Sequence, residues 1–229
     1  MNQQRPHDYF VTGTDTEIGK TLVSAALLHA LAQQGLRSAG MKPVAAGAEL
    51  RDGVWHNEDV DALMAAASVP CAQELVCSYL MRTPAAPHIV AQQEQVSISA
   101  AHIQDCYAQL TQQADAVIVE GVGGFCVPLN AEITTADIAR ELALPVILVV
   151  GMRLGCINHA LLTAQAIAAQ GLTLAGWVAN TVDPDMLFIK ENMVAIRDRL
   201  PAPLLGYIPR LQNPTAQAAA EFLHLTILK

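Results

Sequence analysis

The segment Phe10-Val11-Thr12-Gly13-Thr14-Asp15-Thr16-Glu17-Ile18-Gly19-Lys20-Thr21 sets the architecture of this 229-residue chain. An apolar run at residues 9–11 predicts a strand, Gly13 and Gly19 bound a turn, and the alanine- and leucine-rich residues 21–34 predict a helix. In such a unit the backbone N–H groups of the turn point at one spot, where the helix dipole adds a partial positive charge. The segment therefore predicts a binding site for an anion such as phosphate.

The residues after the second glycine give this site its chemistry. Lys20 has the reach to bind the outer phosphates of a nucleotide, and the Thr21 hydroxyl suits the magnesium ion that accompanies them. These are parts of the P-loop motif, although five residues separate the two glycines here and the usual pattern has four. The alternative is that Gly-Lys-Thr merely caps a helix. Because strand, turn and helix follow in the required order, the pattern favours phosphate binding.

The size and charge of the chain limit the function classes open to it. A length of 229 residues suits one α/β domain, so residues 1–229 are predicted to form a single domain. With 13 basic and 21 acidic residues the formal charge is -8, which disfavours nucleic acid or an anionic membrane as a partner.

The chain also carries no pattern of a membrane span or a secretory signal. Its most apolar run, residues 142–152, is about half as long as a bilayer-spanning helix and is interrupted by Pro145. The N-terminus is polar and lacks the apolar core of a signal peptide. The five cysteines are odd in number and form no C-x-x-C pair, which favours buried reduced thiols over disulfides or a zinc site. The sequence thus predicts a soluble, cytoplasmic protein.

Strands and helices alternate along the rest of the chain. Further strands are predicted at residues 38–44, 115–119, 145–150, 174–179 and 204–208. Helices are predicted at residues 57–68, 97–114, 134–142 and 185–200, with another that ends near residue 169. Residues 45–57 are predicted to be a loop and residues 69–96 an irregular crossover. This alternation predicts an α/β fold of the P-loop NTPase type, a mostly parallel sheet covered by helices on both faces.

Two charged residues lie at the C-terminal ends of predicted strands, at the edge where parallel sheets bind their ligands. Lys42 closes the second strand and precedes a proline, and Glu120 closes the third and precedes Gly121. A carboxylate there suits a nucleotide-bound magnesium, and glycine lets another group approach the backbone. The alternatives are a solvated lysine and an exposed glutamate in a glycine-rich turn, and for Lys42 the residues alone leave the choice open.

Over nearly its whole length the chain resembles the dethiobiotin synthetase family. The resemblance rests on residues 10–21 and on the segments Ala39-Gly40-Met41-Lys42-Pro43-Val44, Val119-Glu120-Gly121-Val122-Gly123-Gly124, Gly155-Cys156-Ile157-Asn158-His159-Ala160, Gly176-Trp177-Val178-Ala179-Asn180 and Pro201-Ala202-Pro203-Leu204-Leu205-Gly206. The five-residue glycine spacing is the family's own. The resemblance implies an ATP-dependent cyclo-ligase of biotin biosynthesis. Its substrates would be 7,8-diaminononanoate, CO2 (bicarbonate) and MgATP, and its products dethiobiotin, ADP and phosphate.

The resemblance also implies roles for particular residues. Lys42 and Lys20 would be catalytic, and Thr21, Asp59 and Glu120 would bind Mg2+. The residues implied to bind ATP are Thr16, Glu17, Ile18, Gly19, Lys20, Thr21, Leu22, Asp59, Glu120, Gly121, Val122, Gly123, Asn180, Thr181, Pro209, Arg210 and Leu211, the last five around the adenine. Those implied to bind the diamine are Thr16, Lys42, Ala46, Leu154, Gly155, Cys156, Ile157 and Asn158. Residues 154–158 would take the substrate carboxylate from the neighbouring subunit of a homodimer.

The family pattern is ambiguous at one of its elements in this chain and altered at another position. The family's Asn-x-Asp element matches Asn57-Glu58-Asp59 and the unbroken spacing favours Asp59 as the metal ligand, but Asp61 resembles the continuation of that element. Acidic residues in a first helical turn are also favourable without any metal. At Ala46 the family commonly carries a hydroxyl residue. We expect the loss of one substrate hydrogen bond there, about 1 kcal/mol if nothing compensates.

Two other classes of nucleotide-binding protein share parts of this pattern. Switches of the ParA and MinD kind carry a lysine five positions before the P-loop lysine, where this chain has Asp15. GTPases carry Asn-Lys-x-Asp, and residues 180–183 match it except for the lysine. Both departures favour the ligase interpretation. For His88 and His159, a packed or capping role is favoured over a catalytic one.

Overall fold

A computed structural model describes residues 5–228 of the chain. Its strands are β1 (Tyr9–Gly13), β2 (Ser38–Met41), β3 (Val44–Ala46), β4 (Glu49–Arg51), β5 (Val54–His56), β6 (Tyr79–Met81), β7 (Ala116–Glu120), β8 (Val146–Met152), β9 (Leu174–Thr181) and β10 (Leu204–Ile208). Its helices are α1 (Lys20–Gln33), α2 (Glu58–Ala66), α3 (Gln73–Val76), α4 (Pro87–Gln93), α5 (Ala100–Gln113), α6 (Thr135–Leu142), α7 (Cys156–Ala169), α8 (Ile189–Arg197) and α9 (Ala216–Ala220). None of these helices, in the part of the chain described, is long and apolar enough to cross a membrane.

Six strands form the main sheet, in the order β10-β9-β8-β1-β7-β2. Every neighbouring pair in it is parallel, and β1 lies between β7 and β8. All six carboxyl ends therefore meet at one edge, so the turns that follow β1, β2 and β7 lie side by side where α/β sheets bind ligands. The predicted α/β fold with a mostly parallel sheet is confirmed.

Side chains of the sheet alternate between two buried layers. Tyr9 and Val11 pack with Leu27 of α1 on one face. Phe10 packs with Ile103 of α5 on the other. Burial on both faces explains why the strands are near-continuous runs of apolar residues.

The chain departs from the predicted elements after β2. The strand predicted at residues 38–44 is divided, because β2 ends at Met41 and Val44 begins β3, which pairs with β6 in a separate sheet. The loop predicted at residues 45–57 contains the antiparallel hairpin β4–β5, and the predicted crossover at residues 69–96 contains α3, β6 and α4. These predictions are wrong because elements of three to seven residues give little periodic signal and form through tertiary pairing.

The division of the second strand fixes Lys42 at the junction of two sheets. The Lys42 backbone N–H donates to the Val76 carbonyl at 2.7 Å, and the Pro43 carbonyl accepts from the Tyr79 N–H at 2.9 Å. Lys42 is only 2% exposed. Its backbone is therefore held from outside the main sheet while its side chain lies in the interior.

Candidate active site

The turn after β1 has the geometry of a phosphate-binding loop. Gly19, the N-cap of α1, has φ of +85°, and a Cβ added there would lie 2.3 Å from Nδ2 of Asn180. Only glycine fits this left-handed conformation and close contact. The Asn180 amide donates to the Ile18 carbonyl at 2.8 Å, which holds the loop against the end of β9.

Lys20 lies under this loop, buried, with Nζ donating to the Asp15 carbonyl at 2.8 Å. Burial, together with the nearby charge of Lys42, lowers the pKa of Lys20 to about 8. Loss of water disfavours the charged form of an amine, and a neighbouring cation adds to this effect. A bound polyphosphate would favour that charged form.

Four side chains from distant parts of the chain meet beside the loop. Lys42 Nζ lies 2.5 Å from Glu120 Oε1 and 2.8 Å from Asp59 Oδ2. The Thr21 hydroxyl lies 2.7 Å from Asp59 Oδ1 and 2.9 Å from Glu120 Oε1. We call Thr21, Lys42, Asp59 and Glu120 the charged cluster.

The charges in this cluster stabilise one another. Burial alone would lower the pKa of Lys42, but its attraction to Glu120 and Asp59 is stronger and raises that pKa above its usual 10.5. Burial likewise opposes ionisation of Asp59, but attraction to Lys42 and hydrogen bonds from Lys42 and Thr21 together outweigh burial and lower the pKa of Asp59. The lysine is thus a fixed cation, and Asp59 a fixed anion, at neutral pH.

The cluster offers the oxygen donors that magnesium prefers. One carboxylate oxygen of Glu120, Oε2, is buried and has no hydrogen-bond partner among the described residues. Across residues 5–228, no three His, Cys, Asp or Glu side chains are grouped to hold a metal by themselves. One hydroxyl and two carboxylates nevertheless fit Mg2+, which usually binds to one or two carboxylates and takes its other ligands from water and phosphate.

Asp61 is directed away from the cluster. Its carboxylate lies 3.1 Å from Nδ1 of His56 and 3.8 Å from Arg51. Asp59, two residues earlier, is the carboxylate of α2 that contacts Thr21 and Lys42. Asn57 produces this arrangement, because its side chain caps α2 and also donates to the Ala46 carbonyl at 3.2 Å.

A cavity of about 830 Å³ opens from the charged cluster. Its lining includes Thr16 and Glu17 of the loop, Ala46, Val122 and Gly123, in addition to Lys20 and the cluster. The opposite wall comes from the segment before and at the start of α4, namely Pro84, Ala85, Ala86 and Pro87. A larger groove of about 1000 Å³ lies beside Trp55 and His102 and contains none of the predicted site residues. We therefore take the smaller cavity as the candidate active site.

The residues expected around adenine lie at the same sheet edge, outside the lining of this cavity. Asn180 pairs in register with Ile208, so residues 209–211 leave β10 next to the end of β9. The Thr181 hydroxyl donates to the Tyr207 hydroxyl at 3.1 Å. The structure thus brings these residues close to the P-loop, through the contact of Asn180 with Ile18.

Residues 154–158 form the start of α7 and do not line the cavity either. Leu154 is 93% exposed. A single subunit therefore does not join this predicted carboxylate-binding element to the charged cluster.

Sequence patterns missed several contributors to the site. The apolar wall at residues 84–87 gave no signal beyond its prolines, and the ion pair between Arg153 and Asp15 joins residues far apart in sequence. The capping role of Asn57 could have been predicted from the sequence, because an asparagine before an acidic first helical turn is a typical N-cap.

Comparison with known proteins agrees with this site. A family model described as an AAA domain matches residues 7–218. A relative from Janthinobacterium sp. (strain Marseille) is 59% identical over 223 residues, which cover 96% of this chain and 94% of the relative. Another, from Aromatoleum aromaticum (strain DSM 19018 / LMG 30748 / EbN1), is 56% identical over 220 residues, 96% of this chain and 98% of the relative. Both are named ATP-dependent dethiobiotin synthetase BioD.

Solved structures with a similar fold are far more distant in sequence. The MinC:MinD cell division protein complex of Aquifex aeolicus matches with a TM-score of 0.58 and 16% identity, over 96% of this chain and 93% of that one. A ParA family ATPase from Chlorobium tepidum TLS matches with a TM-score of 0.57 and 13% identity, over 97% and 92%. At these identities the likeness concerns the fold alone.

The parallel sheet and the glycine-bounded turn after β1 define the class: this is a protein with the α/β fold of the P-loop NTPases. Within that class, the identity to the two relatives over nearly the full chain is decisive. The chain belongs to the ATP-dependent dethiobiotin synthetase family.

Proposed function

We propose that this chain uses ATP to convert 7,8-diaminononanoate and CO2 into dethiobiotin, with release of ADP and phosphate. The observation that carries the proposal is the contact of Lys42 Nζ with Asp59 and Glu120 beside a P-loop, in a chain 59% identical to a named synthetase. The charged cluster and the adjoining cavity are the proposed reaction site.

The proposed reaction has three bond-forming steps. One amine of the diamine adds to CO2 and loses a proton, which gives a carbamate. A carbamate oxygen attacks the γ-phosphorus of ATP and ADP leaves, which gives a carbamic-phosphoric anhydride. The second amine then attacks the carbonyl carbon, closes the cyclic urea and expels phosphate. In the second step two anions must meet, so fixed cations are needed to offset their repulsion.

Lys42 and Lys20 are the cations that we assign to this step. Lys42 is buried and charged, and its backbone is fixed at a junction of two sheets, so it is preorganised near the P-loop. Lys20 donates to a loop carbonyl, and the outer phosphates of ATP would take over this donor. Their contribution is charge stabilisation and positioning, the dominant effects in phosphoryl transfer.

Thr21, Asp59 and Glu120 are the residues that we assign to Mg2+. The hydroxyl and the two carboxylates provide hard oxygen ligands, and the unpaired Glu120 Oε2 supports this assignment. Bound magnesium would supply positive charge to the phosphates of ATP. Asp61 is excluded from the set because it contacts His56 and Arg51 instead.

We assign residues 16–22 and 120–123 to the binding of the phosphates of ATP and of the magnesium ion that accompanies them. Asn180, Thr181 and residues 209–211 are assigned to the adenine. The support is their common place at the carboxyl edge of the sheet, with Asn180 hydrogen-bonded to the loop.

The diamine is assigned to the cavity in front of Lys42. The wall at residues 84–87 together with Ala46 is apolar, which suits the methylene chain of the substrate. Thr16 and Lys42 are the polar groups that we assign to its reacting end. With alanine at position 46, the side chain there offers no hydrogen bond to the amines.

We further propose that the enzyme acts as a homodimer. Residues 154–158 would bind the carboxylate of substrate held by the other subunit, since they lie outside their own subunit's cavity. Leu187 and Phe188, just before α8, are 75% and 70% exposed, and α8 contacts α7. Exposed apolar side chains beside an element that contacts α7 support a subunit contact on this side of the molecule.

The cytoplasm is the compartment that we propose for this reaction. All five cysteines are free in the structure, which suits a reducing compartment.

The proposed function is tested by incubating purified protein with 7,8-diaminononanoate, 13C-bicarbonate and MgATP. We expect dethiobiotin that carries one 13C atom, detected by mass, and no product when any substrate is omitted. A Thr21→Ala protein is the matched negative control. Phosphate release that needs neither diamine nor bicarbonate would instead indicate a nucleotide-driven switch, and a preference for GTP would favour a GTPase.

A further inference from the structure

The P-loop residue Asp15 has a network of its own. Its Oδ1 accepts a hydrogen bond from the Thr16 N–H at 2.7 Å, and its carbonyl accepts from Lys20 Nζ at 2.8 Å. Its other carboxylate oxygen, Oδ2, pairs with the guanidinium of Arg153. Asp15 thus joins three groups: the loop backbone, the P-loop lysine and an arginine from another element.

Arg153 comes from the neighbouring strand connection. It directly follows β8 and precedes Leu154 and the start of α7. The loop is held to β8 by backbone contacts as well, since the Thr14 N–H donates to the Val149 carbonyl at 3.0 Å. A Cβ on Gly151 would lie 2.5 Å from Ile18. The end of β8 is therefore the surface on which the first half of the P-loop rests.

We propose that Arg153 is a positioning residue that acts on ATP binding through Asp15. The pair neutralises a carboxylate that would otherwise stand in a loop built to receive a triphosphate, and it fixes the residue whose carbonyl orients Lys20. This inference deepens the proposed function and rests on it for the identity of the nucleotide. The pairing itself comes from the observed contacts.

Electrostatics predicts how the pair behaves when it is broken. Without Arg153 the Asp15 carboxylate is unpaired and repels the phosphates, so removing the arginine alone weakens nucleotide binding. Removing the carboxylate as well takes away the source of repulsion. The effect of the double substitution is therefore smaller than that of the arginine substitution alone, which is the signature of a residue that acts through its partner.

The test measures binding of MgATP and of a non-hydrolysable ATP analogue at equilibrium, without diamine. For Arg153→Gln we expect about three- to fivefold weaker binding, the range that a half-exposed ion pair can supply, with an unchanged melting temperature. Arg153→Lys keeps the charge and is expected to restore most of the affinity. Asp15→Asn introduced into the Arg153→Gln protein is expected to restore it too.

Arg37→Gln is the matched control. Arg37 forms a comparable exposed pair with Asp115, at 2.8 Å, before β2 and β7 and so at the opposite edge of the sheet. The Arg37→Gln substitution should leave nucleotide binding unchanged. Wild-type affinity in Arg153→Gln overturns the proposal, and so does a double variant that binds no better than Arg153→Gln. Because these measurements do not depend on product formation, failure to form dethiobiotin refutes the proposed reaction without affecting this result.

Discussion

At the scale of single residues, the site depends on one buried lysine between two carboxylates. A buried pair of this kind is held by its own attraction, and removing one member leaves an unbalanced charge. Lys42 therefore serves both the electrostatics of the empty site and, in our proposal, the transfer of phosphate. Substitution of Lys42 can separate its effect on the empty site from its effect on phosphate transfer if nucleotide binding and turnover are both measured.

Lys42→Gln is expected to retain nucleotide binding and to lose product formation. Glutamine keeps a polar donor at this position, but the cation is absent when the two anionic reactants meet. We expect dethiobiotin formation to fall by at least about a hundredfold, the scale for losing one preorganised charge-stabilising group. Turnover by mass detection and nucleotide affinity by titration check this. Wild-type turnover would refute the role assigned to Lys42.

Asp59→Asn and Asp61→Asn form a matched pair on the same helix. Only Asp59 contacts Thr21 and Lys42, whereas Asp61 contacts His56 and Arg51. We expect the magnesium concentration for half-maximal activity to rise about tenfold or more in Asp59→Asn, and to stay near the wild-type value in Asp61→Asn. A magnesium titration of both proteins decides between the two carboxylates. The reverse order of effects would move the metal assignment to Asp61.

At the scale of elements, β1 is anchored at the end opposite to the P-loop. The carboxylate of Asp8 is fully buried, and it accepts hydrogen bonds from the Tyr107 hydroxyl at 2.5 Å and the Val117 N–H at 2.8 Å. It therefore ties the start of β1 to α5 and β7. Burial raises the pKa of Asp8 above 3.8, and these donors, together with Arg5, only partly oppose that rise.

The raised pKa predicts how stability depends on pH. When the pKa of a carboxyl group is higher in the folded state, the group contributes to the free energy of unfolding. This contribution is fully present below the pKa of the unfolded state and is lost as the pH rises through the pKa of the folded state. Asn at position 8 keeps a donor and an acceptor but does not ionise. We expect the stability of Asp8→Asn relative to the wild type to increase as the pH rises above about 4, as measured by urea unfolding at a series of pH values. A difference that stays constant across the series would contradict the raised pKa.

At the scale of the whole molecule, one subunit assembles the charged cluster and leaves residues 154–158 outside its cavity. The exposed Leu187 and Phe188 directly precede α8, which contacts α7, and the proposed partner subunit would pack there. Phe188 has φ of +55°, a conformation that asparagine accepts better than most residues. Phe188→Asn therefore removes apolar surface without opposing the local backbone.

We expect Phe188→Asn to shift the dimer towards monomer and to raise the Michaelis constant for the diamine. Sedimentation at several concentrations measures the first effect, and steady-state kinetics the second. Leu50→Asn is the control, since Leu50 is also exposed but lies on the hairpin β4–β5. If Phe188→Asn sediments as the wild type does, this face is not the subunit contact.

Elements with a strong local pattern could be predicted. Helix α1 was expected at residues 21–34 and spans Lys20–Gln33, because it lies between Gly19 and Gly35, both with positive φ. The six strands of the main sheet and their parallel direction follow from the alternation of strands and helices, whereas the order of the strands in the sheet was not predicted. The hairpin β4–β5 and the β3–β6 pair were not predicted, since strands of three residues are stabilised by their partners and not by their own sequence.

The sequence alone determined the phosphate-binding turn and the class of fold, because strand, turn and helix there are encoded within residues 10–34 and depend on neighbours in the chain. Through the spacing of the family's motif it favoured Asp59 as the metal ligand and kept Asp61 as the alternative, but it could not show which carboxylate contacts Thr21 and Lys42. Only the tertiary structure separated them, since Thr21 lies 38 residues from Asp59, and Lys42 lies 78 residues from Glu120. The packing of α2 and β7 around β2 decides which polar and charged side chains come into contact across such separations in sequence. No local sequence pattern contains that information.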